Sequence, residues 1–291
     1  MRYSTADKNQ RERGEGGELS GGTGDPGRVG EGISVPGGRR SCLFVAGTAY
    51  PVVRLGEGGF ADATLRAGGE EVTAEAVLRH HGCRERPTLE ERVAVLAYGS
   101  NASPEQLARK FARFGTDVAI PLVRGRLAGF DVVYAPHVAR YGAIPATLAP
   151  APGTSVAVAV LHLTAAQVKR MHETELSAGN YVYGELAGAA WAPEIGAAPT
   201  RMSAYVAVHG ALGLTGAPLA LAAVRAEGRT LMAMAKPAVL ALARDRLAPG
   251  MDLDDFIDDM VRVAHVRATR TRALREAALP LTVPGLRPIE G

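Results

Sequence analysis

Val95-Leu96-Ala97-Tyr98-Gly99-Ser100-Asn101-Ala102-Ser103-Pro104-Glu105-Gln106-Leu107 is an apolar run that stops at a small polar loop and restarts as a helix. Gly99 permits a positive φ and close approach to the backbone, and Ser100 and Asn101 set side-chain donors beside amides not yet committed to a helix. Ser103 reads as the N-cap, Pro104 as the first helical residue, and Gln106 as the partner that closes a capping box. The helix then starts with unpaired N–H groups and a positive dipole end beside the loop, a place that suits a carboxylate or phosphate. Strand, turn and capped helix are also the ordinary joint of any α/β protein, so this loop does not decide a function alone.

The downstream segments narrow the reading. Leu122-Val123-Arg124-Gly125-Arg126-Leu127, Tyr141-Gly142-Ala143-Ile144-Pro145-Ala146-Thr147-Leu148 and Val156-Ala157-Val158-Ala159-Val160-Leu161 are strand-like. Apolar runs bounded by Gly and Pro place strands near 93–98, 118–135, 145–148, 155–162, 181–190 and 201–208, and helical periodicity places helices near 104–114 and 165–175. Thr164 and Gln167 make a second capping box. At 100° per residue Val168, Met171 and Glu175 share one narrow face, whereas Glu173 lies with Lys169 on the solvated side. A carboxylate on an inward stripe is costly unless paired or kept protonated. Glu175 is therefore either a satisfied structural group or a base with a raised pKa, and the residues themselves leave both open.

In order and spacing these segments resemble the γ-glutamylcyclotransferase-like family over roughly residues 93–210. The family's first strand ends in Tyr-Gly-Ser-Asn, here Tyr98–Asn101, and its essential Glu ends a helix shortly before a Gly-x-Tyr, here Gly179-Asn180-Tyr181. The resemblance implies cofactor-free cyclisation of a γ-glutamyl amine or peptide, releasing 5-oxoproline and the free amine, with Glu175 as general acid/base. It places Tyr98, Gly99, Ser100, Asn101 and Tyr181 around the substrate, with Tyr141 lining the pocket. Leu176 stands where the family usually has Gly, and the gap to Tyr181 is one residue short. Two other functions fit the same residues: a non-catalytic module holding a small carboxylate or a protein, and amide hydrolysis with the Glu activating water.

Strands outnumber helices and are joined by short turns, so the expected fold is α+β, a small mixed β-barrel with helices outside; the resemblance implies the same. The chain divides into a disordered tail over 1–40 or a misassigned start, an extension over 41–90, the core over 91–212 and a helical extension over 213–291. Ser41–Ala46 and Pro51–Leu55 are candidate strands, and Thr73–His81 a short helix. Residues 216–279 should form two or three helices, broken near Pro237 and Pro249-Gly250, that pack on the core or serve self-association or a protein partner.

Composition supports a globular chain: 47% of the 291 residues are hydrophobic and 22% charged. Apolar runs such as Val156–Leu163 fall far short of the roughly 18 residues needed to span a bilayer, and the N-terminus has no apolar signal core. A cytoplasmic protein with reduced Cys42 and Cys83 is expected. The net charge of +3 is small, and Arg262, Arg267, Arg270, Arg272 and Arg275 have no interleaved aromatics to stack bases, so no nucleic-acid partner is expected. These arginines follow Asp252, Asp254, Asp255, Asp258 and Asp259 on what reads as one helix with its charges matched to the dipole. His162 and His172 read as surface or edge residues. No metal cluster, Gly-x-Ser-x-Gly elbow or Walker-type loop is found, so neither a metal nor a cofactor is expected.

Overall fold

Two long apolar strands organise the molecule. The computed structural model describes residues 40–289, so the tail expected over 1–40 lies, but for Arg40, outside the described residues. The N-terminal part contains β1 (Cys42–Val45), β2 (Thr48–Gly56), β3 (Gly59–Ala67), β4 (Glu70–Thr73) and α1 (Ala74–His81). Then come β5 (Val93–Ala97), a 3-10 turn over Ser100–Ala102, α2 (Pro104–Phe111), β6 (Ala119–Tyr134), β7 (Ala146–Leu163) and α3 (Ala165–Glu175). They are followed by β8 (Tyr181–Leu186), β9 (Trp191–Pro193), β10 (Ser203–Ala207), and the short strands β11 (Gly213–Leu214), β12 (Ala217–Pro218), β13 (Ala220–Leu221), β14 (Ala226–Glu227) and β15 (Ala233–Met234). The chain closes with α4 (Lys236–Leu247), α5 (Leu253–Arg262), α6 (Ala264–Glu276) and β16 (Leu286–Pro288).

Strands β6 and β7 pair antiparallel from Leu122↔Leu161 to Tyr134↔Ala146 and are buried along most of their length. Covered on both faces, they show continuous Val, Leu and Ala rather than alternation. The strands expected at 145–148 and 155–162 are thus one. Pro150 lies at the register shift between Ala128 and Phe130, where a residue without an N–H costs no ladder bond.

The sheet runs β16-β8-β10-β5-β7-β6-β1-β2-β3-β4, antiparallel except for the β10–β5 neighbours and the added β13–β15 pair. Its ends, β16 and β4, do not pair, so the described residues form a large open mixed sheet with outer helices rather than the small closed barrel expected. The reason lies outside the core segment: β1 occupies the edge of β6 and leads into three more strands, while β16 covers β8. The α+β class stands.

The helix starts illustrate how local residues act. Thr73 caps α1, and the Thr164/Gln167 capping box forms at α3 as expected. The Gln167 amide also donates to Glu85, which in turn accepts from the backbone of Ala119 at 3.0 Å and pairs with Arg92 at 2.8 Å. The box expected at α2 does not form. Ser103 sits at the N-cap, but its hydroxyl donates to the Glu105 carboxylate instead of serving the helix amides.

The C-terminal part departs further from expectation. Residues 213–234 contain short strands rather than helix, and Pro237 lies in the first turn of α4, where its missing N–H is harmless, so it starts a helix instead of breaking one. Val263, at φ −114 and ψ 100, ends α5 and separates the aspartates from Arg267, Arg270, Arg272 and Arg275 on α6. The single dipole-matched helix is therefore two. Arg270 is buried, its guanidinium 4.1 Å above the Phe256 ring and 2.7 Å from the Phe256 carbonyl oxygen. Arg229 grips the fully buried Asp131 of β6 through Nε at 2.7 Å and Nη2 at 2.8 Å, tying this part to the sheet. Cys42 and Cys83 are both buried and not disulfide-bonded. Among the described residues no helix is long and apolar enough to cross a membrane.

Candidate functional site

β5 runs down the middle of the sheet and delivers its polar end to a cavity of about 630 Å³. Tyr98, Gly99, Ser100 and Asn101 line it, as do Glu175 from the last position of α3, Tyr181 from the first position of β8, and Tyr141 from the loop between β6 and β7. All the candidate site residues thus share one hollow. A cavity of this size accommodates a small amino-acid derivative.

The loop differs in detail from its expected form. Gly99 has φ −112, so its freedom at positive φ is not used, and a Cβ there would meet only Ala146 at an ordinary 3.5 Å. The 3-10 turn draws the Ala102 amide to the Gly99 carbonyl oxygen at 3.2 Å and the Ser103 amide to that of Ser100 at 2.9 Å. As at any helix start, the first amides of the turn, those of Ser100 and Asn101, have no acceptor among the described residues. The donor pair comes from the turn itself, not from the capped start of α2.

Glu175 is 19% exposed, but it is not an isolated carboxylate on an apolar wall. Lys110 Nζ lies 2.5 Å from Glu175 Oε1 and 2.6 Å from Asn101 Oδ1, and Asn101 Nδ2 donates to the same carboxylate oxygen at 3.2 Å. Lys110, the penultimate residue of α2, is itself only 10% exposed. The sequence reading missed it because on its own helix it looks like a solvated charge. Its one available signal was the burial of Leu107 and Phe111 beside it, which brings α2 against α3. Glu175 Oε2 accepts no hydrogen bond among the described residues. The carboxylate is thus fixed by one oxygen and open at the other.

The tyrosines divide. The Tyr98 hydroxyl donates to the Tyr205 carbonyl oxygen, and that of Tyr181 to the Ala146 carbonyl oxygen at 2.9 Å, so both brace the walls with their hydroxyls while lining the cavity with their rings. Burial pushes both phenols well above the usual range, so neither titrates near neutrality. Tyr141, 45% exposed, stands at the solvent side.

His162 is not a surface or edge residue, whereas His172 is half-buried. His162 is 4% exposed, and burial together with nearby Arg92 pushes its pKa down to about 4. His172 accepts or donates at 2.8 Å with the Tyr205 hydroxyl and packs edge-on to Tyr183. The sequence reading also passed over His137, which is 4% exposed, lines the cavity edge-on to Tyr181, and has a buried Nδ1 without a hydrogen-bond partner. Burial first, and then Arg275 and His209, lower its pKa to about 3. His137 is therefore a neutral imidazole.

The C-terminal helices build the remaining wall. Thr271 accepts from the Val138 amide at 3.1 Å, and Arg275 donates to Asn180 Oδ1 at 2.5 Å. Gly142, at φ +81, lies so close to α5 that a Cβ would come within 3.0 Å of Ile257 and Val261. Lys236 and Arg267 reach the same cavity, as does Arg140. Among the described residues no group of three or more His, Cys, Asp or Glu side chains could hold a metal ion.

Among solved structures, part of the chain is similar to one titled gamma-glutamyl cyclotransferase. The match has 18% identity and a TM-score of 0.33, covering 40% of this chain and 68% of the other. An uncharacterised protein from Homo sapiens matches similarly, at 20% identity and a TM-score of 0.34, over 41% of this chain and 68% of its own. No family model and no curated protein matches the sequence. These likenesses are too distant to assign the site, whose chemistry rests on its own geometry.

Proposed function

We propose that the protein cyclises a γ-glutamyl amine or peptide, without cofactor, to 5-oxoproline and the free amine. The observation that carries this reading is that Glu175, held by Lys110 and Asn101, lines one cavity with Ser100 and Asn101, whose amides have no acceptor among the described residues. The motif resemblance over residues 93–210 supports it.

The α-amine of such a substrate attacks its own γ-carbonyl carbon, a five-membered lactam forms, and the γ C–N bond breaks. No water enters. Ring closure of this kind has an effective molarity of order 10⁵–10⁸ M in favourable cases, so the protein has chiefly to fold the substrate and move protons. The open oxygen of Glu175 takes the proton released by the attacking amine and returns it to the departing nitrogen. The amides of Ser100 and Asn101 hold the α-carboxylate or the oxyanion on the γ-carbon. Lys110 and Asn101 keep the carboxylate in place.

One observation favours a second reading, a binding module: the 2.5 Å Lys110–Glu175 pair is what a purely structural carboxylate would also show. Purified protein incubated with a panel of γ-glutamyl compounds, with 5-oxoproline followed by mass spectrometry, separates the two. Lactam formation, lowered about 10³-fold in Glu175→Gln, is the expected result, in the range of a lost general acid/base. Free glutamate instead of lactam indicates hydrolysis, and no product from any compound leaves the binding module.

A further inference from the structure

Residues 176–180 connect α3 to β8, with Glu175 at one end and Tyr181 at the other. Ser177, Ala178 and Gly179 are exposed, and the turn is closed by the Gly179 amide on the Leu176 carbonyl oxygen at 3.0 Å. Its far end is held from elsewhere in the chain. The Val208 amide donates to the Asn180 carbonyl oxygen at 3.0 Å, and Arg275 Nη2, from α6, donates to Asn180 Oδ1 at 2.5 Å. Asn180 is the middle residue of Gly179-Asn180-Tyr181, and it lines the cavity.

The Arg275 contact fixes more than a position. A guanidinium has donors and no acceptor, so it can meet only the oxygen end of the Asn180 amide. The nitrogen end is thereby turned away from Arg275. Asn180 Nδ2 has no hydrogen-bond partner among the described residues, yet it is not one of the buried orphan atoms, so it remains an accessible donor. Arg275 itself is poorly satisfied. Its Nε is buried without a partner, and no carboxylate pairs with it among the described residues. Buried polar atoms are nearly always bonded, and a half-buried guanidinium left in this state costs stability, so stability alone does not account for it. Thr271, one turn earlier on α6, accepts from the Val138 amide at 3.1 Å, which docks the same helix face against the cavity loops.

A γ-glutamyl head presents two negative groups during cyclisation, its α-carboxylate and the oxyanion that develops on the γ-carbon. The adjacent amides of Ser100 and Asn101 can serve one of them. We propose that Asn180 Nδ2 donates to the α-carboxylate and that Arg275 is the positioning residue that turns the amide to do so. The inference rests on the cyclotransferase reading and deepens it, because the Ser100 and Asn101 amides are then left for the oxyanion. Asn180 lies inside the segment that carries the motif resemblance, and Arg275 lies outside it.

The test compares γ-glutamylethylamide with the same compound bearing a carboxamide in place of the α-carboxylate, in the unaltered protein and in variants. Asn180→Asp keeps an acceptor for Arg275 but replaces the donor by a carboxylate oxygen. Its KM for γ-glutamylethylamide should rise about tenfold or more, the size of a lost bond to a charged group, with kcat little changed. Its preference should shift toward the carboxamide, whose NH₂ can donate to the new carboxylate, a gain that an unfolded protein cannot show. Arg275→Met frees the amide to turn over and should raise KM for γ-glutamylethylamide, while Arg275→Lys, still a donor, should restore it. In Asn180→Asp, adding Arg275→Met should raise KM little further. An unchanged KM in Asn180→Asp, or equal increases for carboxylate and carboxamide, overturns the assignment, since a merely structural asparagine is served as well by Asp. If no compound yields lactam, the reaction fails, and calorimetric binding of γ-glutamylethylamide decides the subsite apart from chemistry. Binding at least tenfold weaker in Asn180→Asp than in the unaltered protein still supports it, and equal or absent binding in both refutes it.

Discussion

The two walls of the cavity differ in how their polar groups are satisfied. On the wall made by the Tyr98–Asn101 loop, α2, the end of α3 and the start of β8, Lys110, Asn101 and Glu175 bond one another and the hydroxyls of Tyr98 and Tyr181 bond backbone carbonyls. On the wall to which the C-terminal helices contribute, His137 Nδ1 and two guanidinium nitrogens of Arg267 have no partner among the described residues. A group that must hold a reacting atom in place benefits from being locked by its neighbours, because small displacements are costly in rate. A group that selects a substrate must keep donors for it. The contrast is between a wall satisfied within itself and a wall with open polar atoms, and it depends on two distant parts of the chain being held together.

That dependence can be broken most severely at Asp131. Replacing it by Ala leaves Arg229, 15% exposed, without its counter-charge, and should destabilise the protein by about 3–5 kcal/mol, read as a lower denaturant midpoint. The first cuts in limited proteolysis should fall within 213–289, with the 93–163 strands resisting longest. Simultaneous cleavage of both would show that the walls have no separate stability.

Acid should act at the cavity, through His137, and away from it, through His162. Burial holds the folded pKa values of His137 and His162 at about 3 and about 4, below the ordinary histidine value of 6.5. The unfolded chain therefore binds more protons below pH 6.5. Stability contributed by each is complete above that value and is lost as pH falls, down to about 4 for His162 and about 3 for His137. Each should cost about 1.4 kcal/mol per pH unit inside its window. Urea titrations of His162→Gln and His137→Gln at pH 7 and 5 should each show a flatter dependence than the unaltered protein. Parallel slopes in all three would contradict the burial argument.

Gly142→Ala probes the seam between loop and helix most gently. Positive φ and a Cβ within 3.0 Å of Ile257 and Val261 should together cost about 1–2 kcal/mol, read as a lower melting temperature. An unchanged melting temperature would mean that α5 yields freely and the C-terminal wall is soft.

Helix starts and their phases were legible. Thr73, Thr164 and Gln167 are local signals, satisfied within a few residues, and the phase of α3 put Val168 and Met171 in the core with Glu175 at its end. The loop at Tyr98–Asn101 was found for the same reason. The capping box expected at α2 failed because Ser103 had a competing partner two residues away, in Glu105. The continuity of β7 through Pro150 was hidden because the proline sits beside a register shift, where residues 151–154 of β7 face only Gly129 of β6.

Residue order alone carried the strand and helix types of the core, the polar loop and the acid at a helix end, because capping, periodicity and turn chemistry act over one or two turns of chain. Folding alone decided that the sheet stays open, that Lys110 meets Glu175 across 65 positions, and that Lys236 and Arg267 share the cavity with His137. Charge pairing and cavity walls depend on distance in space, and a lysine gives no local sign of the carboxylate it will find.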